Sequence, residues 1–87
     1  MTTFDIENYI DYLNEDVDEI HLTNTHIVRL PDLFKFKSIT TLKISNNHLL
    51  YLPTLPITLI ELDCSYNKLS VLPILPDGLE MLNCAHN

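Results

Sequence analysis

Apolar residues return along most of the chain in one repeating pattern. Each copy has an apolar residue, two variable positions, and then two apolar residues separated by one polar position. The copies begin at Val17, Ile39, Leu59 and Leu79, with periods of 22, 20 and 20 residues. Apolar residues two positions apart match the period of a β-strand. We therefore predict repeats at residues 17–38, 39–58 and 59–78 and a partial copy at 79–87, each opening with a short strand.

The turn after each predicted strand carries a polar residue that can bond the backbone. Asn47, Asn67 and Asn87 hold this position, and Thr25 replaces them in the first repeat. An Asn amide both donates and accepts, so we predict a structural ladder of Asn side chains that satisfies the turn backbone. Thr25 can supply only part of that bonding, which predicts a looser first turn. The predicted inward pairs are Ile20 and Leu22, Leu42 and Ile44, Leu62 and Cys64, and Leu82 and Cys84.

The second half of each repeat is rich in proline. Leu-Pro-x-Leu-Pro follows at residues 52–56 and 72–76, which predicts an extended, polyproline-like return. The first return is two residues longer, and we expect a helical turn there, with Phe34, Phe36 or both entering the core. Asp77 and Gly78 predict a turn.

Residues 1–16 differ from the repeats. Apolar residues recur at helical spacing, so residues 3–14 are predicted to form an amphipathic helix with Thr2 or Thr3 as its N-cap. We expect this helix to cap the first repeat and shield Ile20, Leu22 and Ile27. The alternative, a helix that docks a partner, would uncover that repeat.

The pattern LxxLxCxxNxLxxLPxLP, seen in full at residues 59–78, resembles the short, proline-containing leucine-rich repeats of bacterial effectors, other bacterial proteins and large DNA viruses. The resemblance covers residues 17–87. It implies a curved solenoid whose short parallel strands line a concave face. Together with the extended turns predicted for the convex side and the predicted N-terminal capping helix, the expected fold class is an α/β leucine-rich repeat solenoid. In that family the concave face binds proteins. Some effectors join such repeats to a ubiquitin-ligase domain, which this sequence does not contain, so no catalytic activity is carried over.

The outward strand positions are therefore the predicted partner-binding residues. We expect Lys43 and Asp63 to be lateral neighbours that neutralise each other, and Glu19 and Glu61 to leave one edge mildly acidic. The set lacks aromatic anchors apart from nearby Tyr66, which predicts modest affinity. The predicted binding residues are Glu19, His21, Thr23, Thr41, Lys43, Ser45, Glu61, Asp63, Ser65, Tyr66, Met81 and Asn83, with Ala85 at the same face.

Charge narrows the range of partners. The net charge is −7, and residues 1–19 contain no Lys or Arg. Phosphate binding needs a basic patch, so nucleic acid is not an expected partner. The sequence has neither a basic n-region after Met1 nor a run of roughly 18 apolar residues, so we predict no signal peptide, no membrane contact and a cytoplasmic location. For a viral or effector protein, this would be the host cytoplasm.

Candidate chemistry is sparse. Cys64 and Cys84 are predicted to be adjacent and reduced rather than disulfide-bonded. His26 and His48 lie on another side of the repeat from the cysteines, so no metal site and no cofactor are predicted. Asp63, Ser65 and His86 resemble a triad only faintly, and no catalytic residue is assigned.

Three functional hypotheses follow. The first is a protein-binding module. The second is a fragment or remnant of a longer repeat protein, and the third is a recognition arm of a ligase whose catalytic domain lies elsewhere. Leu79, Leu82 and Cys84 are expected at an open edge, which predicts self-association, a missing continuation of the repeats, or a frayed last strand.

Overall fold

The computed structural model describes residues 4–87, which form a small α/β protein with one short helix and one sheet. The helix α1 spans Ile6–Tyr12. The strands are β1 at Glu19–His21, β2 at Thr41–Lys43, β3 at Glu61–Asp63 and β4 at Met81–Asn83.

Helix α1 is shorter than the predicted span of residues 3–14. Thr2 and Thr3 lie outside the described residues, and the N-cap is instead Asp5, whose side chain accepts a hydrogen bond from the backbone N–H of Asn8 at 3.1 Å. The helix ends at Tyr12 because Leu13 adopts an extended backbone. Among the described residues, no helix has the length and apolar character needed to cross a bilayer.

Two basic side chains of the first repeat hold α1 in place. The Nζ atom of Lys35 donates to the carbonyls of Ile10 and Asp11 at 3.0 and 2.9 Å, at the C-terminal end of the helix. Arg29 contacts Glu7 at 2.9 Å. The buried side chain of Ile10 joins the apolar core. The helix is therefore bonded to the second half of the first repeat and packs on the apolar core.

The sheet is parallel throughout and its order is β1-β2-β3-β4, which confirms the predicted parallel strands. Each strand pairs with the one that follows it in the sequence. Leu42 lies beside Ile20 and Leu62, and Leu62 lies beside Leu82. Residues at the same repeat position therefore form rows across the sheet.

The inward strand residues build the core, as predicted, in β1, β2 and β3. Leu42, Ile44 and Cys64 are fully buried. In β4 the corresponding residues are not covered: Leu82 is 41% exposed and Cys84 is also exposed. The core therefore runs from α1 to the third repeat.

The returns between strands differ in length. In the first return, Phe36 is buried and Phe34 is 62% exposed, so only one phenylalanine enters the core. A single turn is present, in which the N–H of Phe36 donates to the carbonyl of Leu33 at 3.1 Å, and the expected helical turn is absent from this described segment. The predicted turn at Asp77 and Gly78 is confirmed.

Candidate functional site

The outward side chains of the four strands form one surface, which we call the open face. Parallel pairing without a register slip brings these residues together in two rows. Strands in a sheet are about 4.8 Å apart, so neighbours within a row are in contact range. The open face consists of Glu19, Thr41, Glu61 and Met81 in one row and His21, Lys43, Asp63 and Asn83 in the other.

Two close contacts link charged or titratable side chains of the open face. Nε2 of His21 lies 2.9 Å from Oε1 of Glu19, within the same strand. Nζ of Lys43 lies 3.6 Å from Oε2 of Glu61, across adjacent strands. Both pairs are exposed or half-buried, so each contributes little to stability. The open face therefore holds one Lys beside three carboxylates, those of Glu19, Glu61 and Asp63.

This pairing corrects one prediction. Lys43 and Asp63 are lateral neighbours, as expected, but the ion pair of Lys43 is with Glu61. Oδ1 of Asp63 is instead occupied by Ser65, whose hydroxyl donates at 2.7 Å and whose N–H donates at 3.1 Å. Glu19 lies beside His21 and Glu61 beside Lys43, and the mildly acidic edge expected from these two carboxylates stays a prediction.

The residues that follow the strands contribute unevenly to this surface. Thr23 and Ala85 are exposed and Ser45 is half-buried. Ser65 is buried, with 4% of its surface exposed, so it supports Asp63 rather than meeting a partner. Its prediction as a binding residue is therefore wrong.

Tyr66 lies beside the open face rather than on it. Its backbone φ is 55°, and its ring, 52% exposed, stacks on the ring of His86 with centroids 4.3 Å apart. Because His86 engages Tyr66, the faint triad of Asp63, Ser65 and His86 is not assembled in this conformation. Only the hydroxyl of Ser65 and the carboxylate of Asp63 are in contact.

The Asn side chains behind the open face bond the turns of adjacent repeats. Nδ2 of Asn67 donates to the carbonyls of Ile44, Cys64 and Ser65 at 3.0 to 3.1 Å. Its Oδ1 accepts from the N–H of Leu49 at 3.0 Å. Among the described residues, no buried side-chain polar atom lacks a hydrogen-bond partner. The ends of the strands, and with them the open face, are held by these bonds.

Asn87 and Asn47 occupy the same position in their repeats. Asn87 donates to the carbonyls of Cys64 and Cys84 and accepts from the N–H of Leu69. Asn47 donates to the carbonyl of Leu22 at 2.7 Å, but its Oδ1 accepts from the N–H and the hydroxyl of Thr25. Thr25, at the position that holds Asn in the later repeats, therefore bonds to Asn47 of the second repeat.

The two cysteines are both free, and their environments differ. Burial raises the pKa of the Cys64 thiol to about 11, with additional contributions from the nearby Cys84 thiol and the carboxylate of Asp63. Only the thiolate reacts as a nucleophile or binds a metal. Cys64 is therefore a protonated core residue near neutral pH.

A second exposed surface was not predicted from the sequence. His26 and His48 are in contact through their ring nitrogens at 3.3 Å, and Tyr66 and His86 stack on each other on the same flank of the sheet. The sequence did contain a signal for this surface, since His26 and His48 hold the same repeat position and lie 22 residues apart.

Comparisons of the chain with protein-family models, with curated proteins and with solved structures found no match.

Proposed function

We propose that the chain is a small leucine-rich repeat solenoid that binds a protein partner through its open face, which would be the concave face. One observation carries this proposal. The inward strand positions hold only Ile, Leu and Cys, whereas the eight positions of the open face hold seven residue types: Glu, His, Thr, Lys, Asp, Met and Asn. Positions with a packing role are restricted in type, and positions without one are free to match a partner.

The chemistry of the open face indicates what kind of partner fits. Lys43 is paired with Glu61, Glu19 contacts His21, and the carboxylate of Asp63 accepts from Ser65. The remaining groups of the open face are hydroxyl, amide and thioether. Interface energy comes mainly from buried aromatic and Arg anchors, and the open face has none. Met81, which is 58% exposed, is the largest apolar contact on this face. We therefore infer a polar protein surface as the partner and a modest affinity.

The test is capture of a partner by purified chain from extracts of the source cell, repeated with two variants. Thr41→Arg places a bulky charge in the middle of the open face. Ile74→Arg is the matched control, because Ile74 is 94% exposed and lies in a return. Loss of the same captured protein with Thr41→Arg, and retention with Ile74→Arg, supports the proposal. Equal capture by both variants contradicts it.

A second candidate function is self-association through β4. Strand β4 is an outer strand of the described sheet, and Leu82, at the inward position, is 41% exposed. An outer strand presents unpaired backbone groups that can pair with another chain. We propose a second copy of the chain as the occupant, since its strand would continue the pairing that joins β3 to β4.

Light scattering across a concentration series separates this candidate from the first. The expected result is a mass of a dimer or larger for the wild type and a folded monomer for Leu82→Lys. A wild type that stays monomeric at the highest concentration excludes self-association and leaves the proposal for the open face unchanged.

A further inference from the structure

Directly after the position of the Asn ladder, each full repeat carries one exposed basic residue. These are His26, His48 and Lys68. Backbone bonds keep them in line: the N–H of His48 donates to the carbonyl of Ile27, and the N–H of Lys68 donates to the carbonyl of Leu49, both at 2.9 Å. Side chains from neighbouring repeats are thereby held side by side on one surface.

His26 and His48 meet on this surface. Nδ1 of His26 lies 3.3 Å from Nε2 of His48, and the rings stack with centroids 5.5 Å apart. An N–H···N hydrogen bond between neutral rings accounts for this contact. Two imidazole nitrogens that bind one tetrahedral Zn²⁺ at about 2.0–2.1 Å also lie roughly 3.3–3.4 Å apart. The observed separation therefore suits a shared metal ion as well as a shared proton.

The backbones of His26 and His48 differ. Its φ is 61°, in the left-handed region, whereas His48 does not adopt this conformation. Histidine adopts a positive φ more often than most residues with a side chain, and Asn24, Asn46, Tyr66 and His86 also adopt it in the described chain. The repeat period places the two residues side by side, but it does not require this backbone. The conformation of His26 is thus specific to the first turn.

We propose that His26 and His48 form a binding site for a divalent transition-metal ion such as Zn²⁺. Each ring directs one lone pair at the ion and keeps its proton on the other nitrogen, Nε2 of His26 and Nδ1 of His48. When the ion binds, the proton of the N–H···N bond therefore moves to the other nitrogen of the same ring, and no proton is released. Imidazole ligands favour Zn²⁺, Cu²⁺ and Ni²⁺ over Mg²⁺ and Ca²⁺.

The surroundings define the site further. The shallow groove beside the pair is also lined by Asn24, Asn46 and Lys68, without a carboxylate. In the described part of the chain, no group of three or more His, Cys, Asp and Glu is arranged to hold a metal. Two protein ligands and water therefore complete the coordination, which makes the ion exchangeable. The bound ion joins the first repeat to the second and so stabilises the folded chain.

The direct test is an NMR titration of the wild-type chain with Zn²⁺, monitored at the imidazole signals of each histidine. The expected result is that His26 and His48 respond together with one half-saturation point. His21 is the internal control, because it is also exposed but contacts Glu19 rather than a second histidine. Two outcomes overturn the proposal: a response of His21 equal to that of the pair, or a response centred on His86, which would place the ion near the exposed thiol of Cys84.

Single substitutions provide the matched comparison. Removing one of two ligands should weaken Zn²⁺ binding roughly tenfold or more, as substitutions around metal sites do. We expect this loss for His26→Gln and for His48→Gln, and less than about a twofold change for His21→Gln, since it removes no proposed ligand. Zn²⁺ should also raise the thermal midpoint of the wild type and of His21→Gln, but not of the other two variants. An unchanged affinity in His26→Gln would contradict the proposal.

Discussion

At two junctions between repeats, different donors bond the side-chain oxygen of an Asn. One junction lies between the first and second repeats and the other between the second and third. At the second junction, Oδ1 of Asn67 accepts from the buried N–H of Leu49. At the first, Oδ1 of Asn47 accepts from the N–H and the hydroxyl of Thr25, which is only half-buried. The donor groups of both Asn side chains bond carbonyls of the preceding repeat.

The comparison shows which part of a repeat is fixed and which part can vary. An Asn is needed on the later side of each junction, because its amide reaches back to the earlier repeat. The earlier side needs only a donor, which Leu49 supplies from its backbone and Thr25 from its backbone and its side chain. In the first repeat the donor is Thr25. This repeat also differs in the left-handed backbone of His26 and in a return that is two residues longer.

The largest expected effect tests the longer return of the first repeat. Phe36 is buried and Phe34 is 62% exposed. Phe36→Ala should lower the free energy of unfolding by about 3–5 kcal/mol, because it removes a buried ring and leaves a cavity. Phe34→Ala is the matched control and should cost less than about 1 kcal/mol. Urea denaturation measures both, and similar losses would mean that the two rings share the core.

The next effect compares the two junctions directly. Asn67→Ala leaves the N–H of Leu49 and three carbonyls without this partner, and should cost about 2–4 kcal/mol. Asn47→Ala should cost less, because the half-buried Thr25 is closer to water. Exposed Ser70→Ala controls for the substitution itself and should change stability by less than about 0.5 kcal/mol. Equal losses in the two Asn variants would remove the distinction between the junctions.

A pH experiment tests the core of the third repeat, where Cys64 replaces the Ile44 of the second repeat. The pKa of Cys64 is raised from 9.0 to about 11 in the folded chain by burial, and less by Cys84 and Asp63. Between these values the unfolded chain loses the thiol proton first, so stability should fall as pH rises. The loss should reach about 2 kcal/mol near pH 11, since one pKa unit corresponds to about 1.4 kcal/mol.

Other groups titrate in the same range, so the informative quantity is a difference. Cys64→Val keeps the side chain apolar and similar in size while removing the titrating thiol. The alkaline loss in stability should be smaller in this variant than in the wild type by the amount that Cys64 contributes. Identical pH profiles would show that the thiol is accessible to water in the folded chain.

The smallest expected effect tests the substitute bond at the first junction. Thr25→Val removes the hydroxyl that donates to Asn47 at 2.8 Å and keeps the shape of the side chain. The expected cost is about 0.5–1.5 kcal/mol, the usual net value of one hydrogen bond. Thr54→Val, at an exposed position in the second return, is the control. No measurable change in Thr25→Val would mean that the backbone N–H alone satisfies Asn47.

Much of the fold could be predicted because the repeat period fixes which residues are lateral neighbours. The spacing of two in each strand placed Leu42, Ile44 and Cys64 in the core, and all three are fully buried. The period also made Lys43 and Asp63 neighbours, but it could not decide the ion pair. That choice depends on side-chain rotamers and on competition, since Ser65 occupies the carboxylate of Asp63.

The N-terminal helix and the flank of the sheet were less predictable for a similar reason. The helix begins after Asp5 because that carboxylate caps it, and several polar residues near the start could have served. The repeat period places His26 and His48 side by side, but the left-handed backbone of His26 is not specified by the residue pattern. Periodicity therefore predicts rows of residues, but not every local backbone conformation within them.

Site-specific photo-crosslinking tests the proposed function of the open face most directly. One chain carries a photoreactive phenylalanine at position 43, in the centre of the open face, and a second carries it at position 74, in a return. After irradiation in the source cell, we expect a discrete adduct with another protein from position 43 and none from position 74. An adduct that forms from position 74 but not from position 43 would contradict binding through the open face.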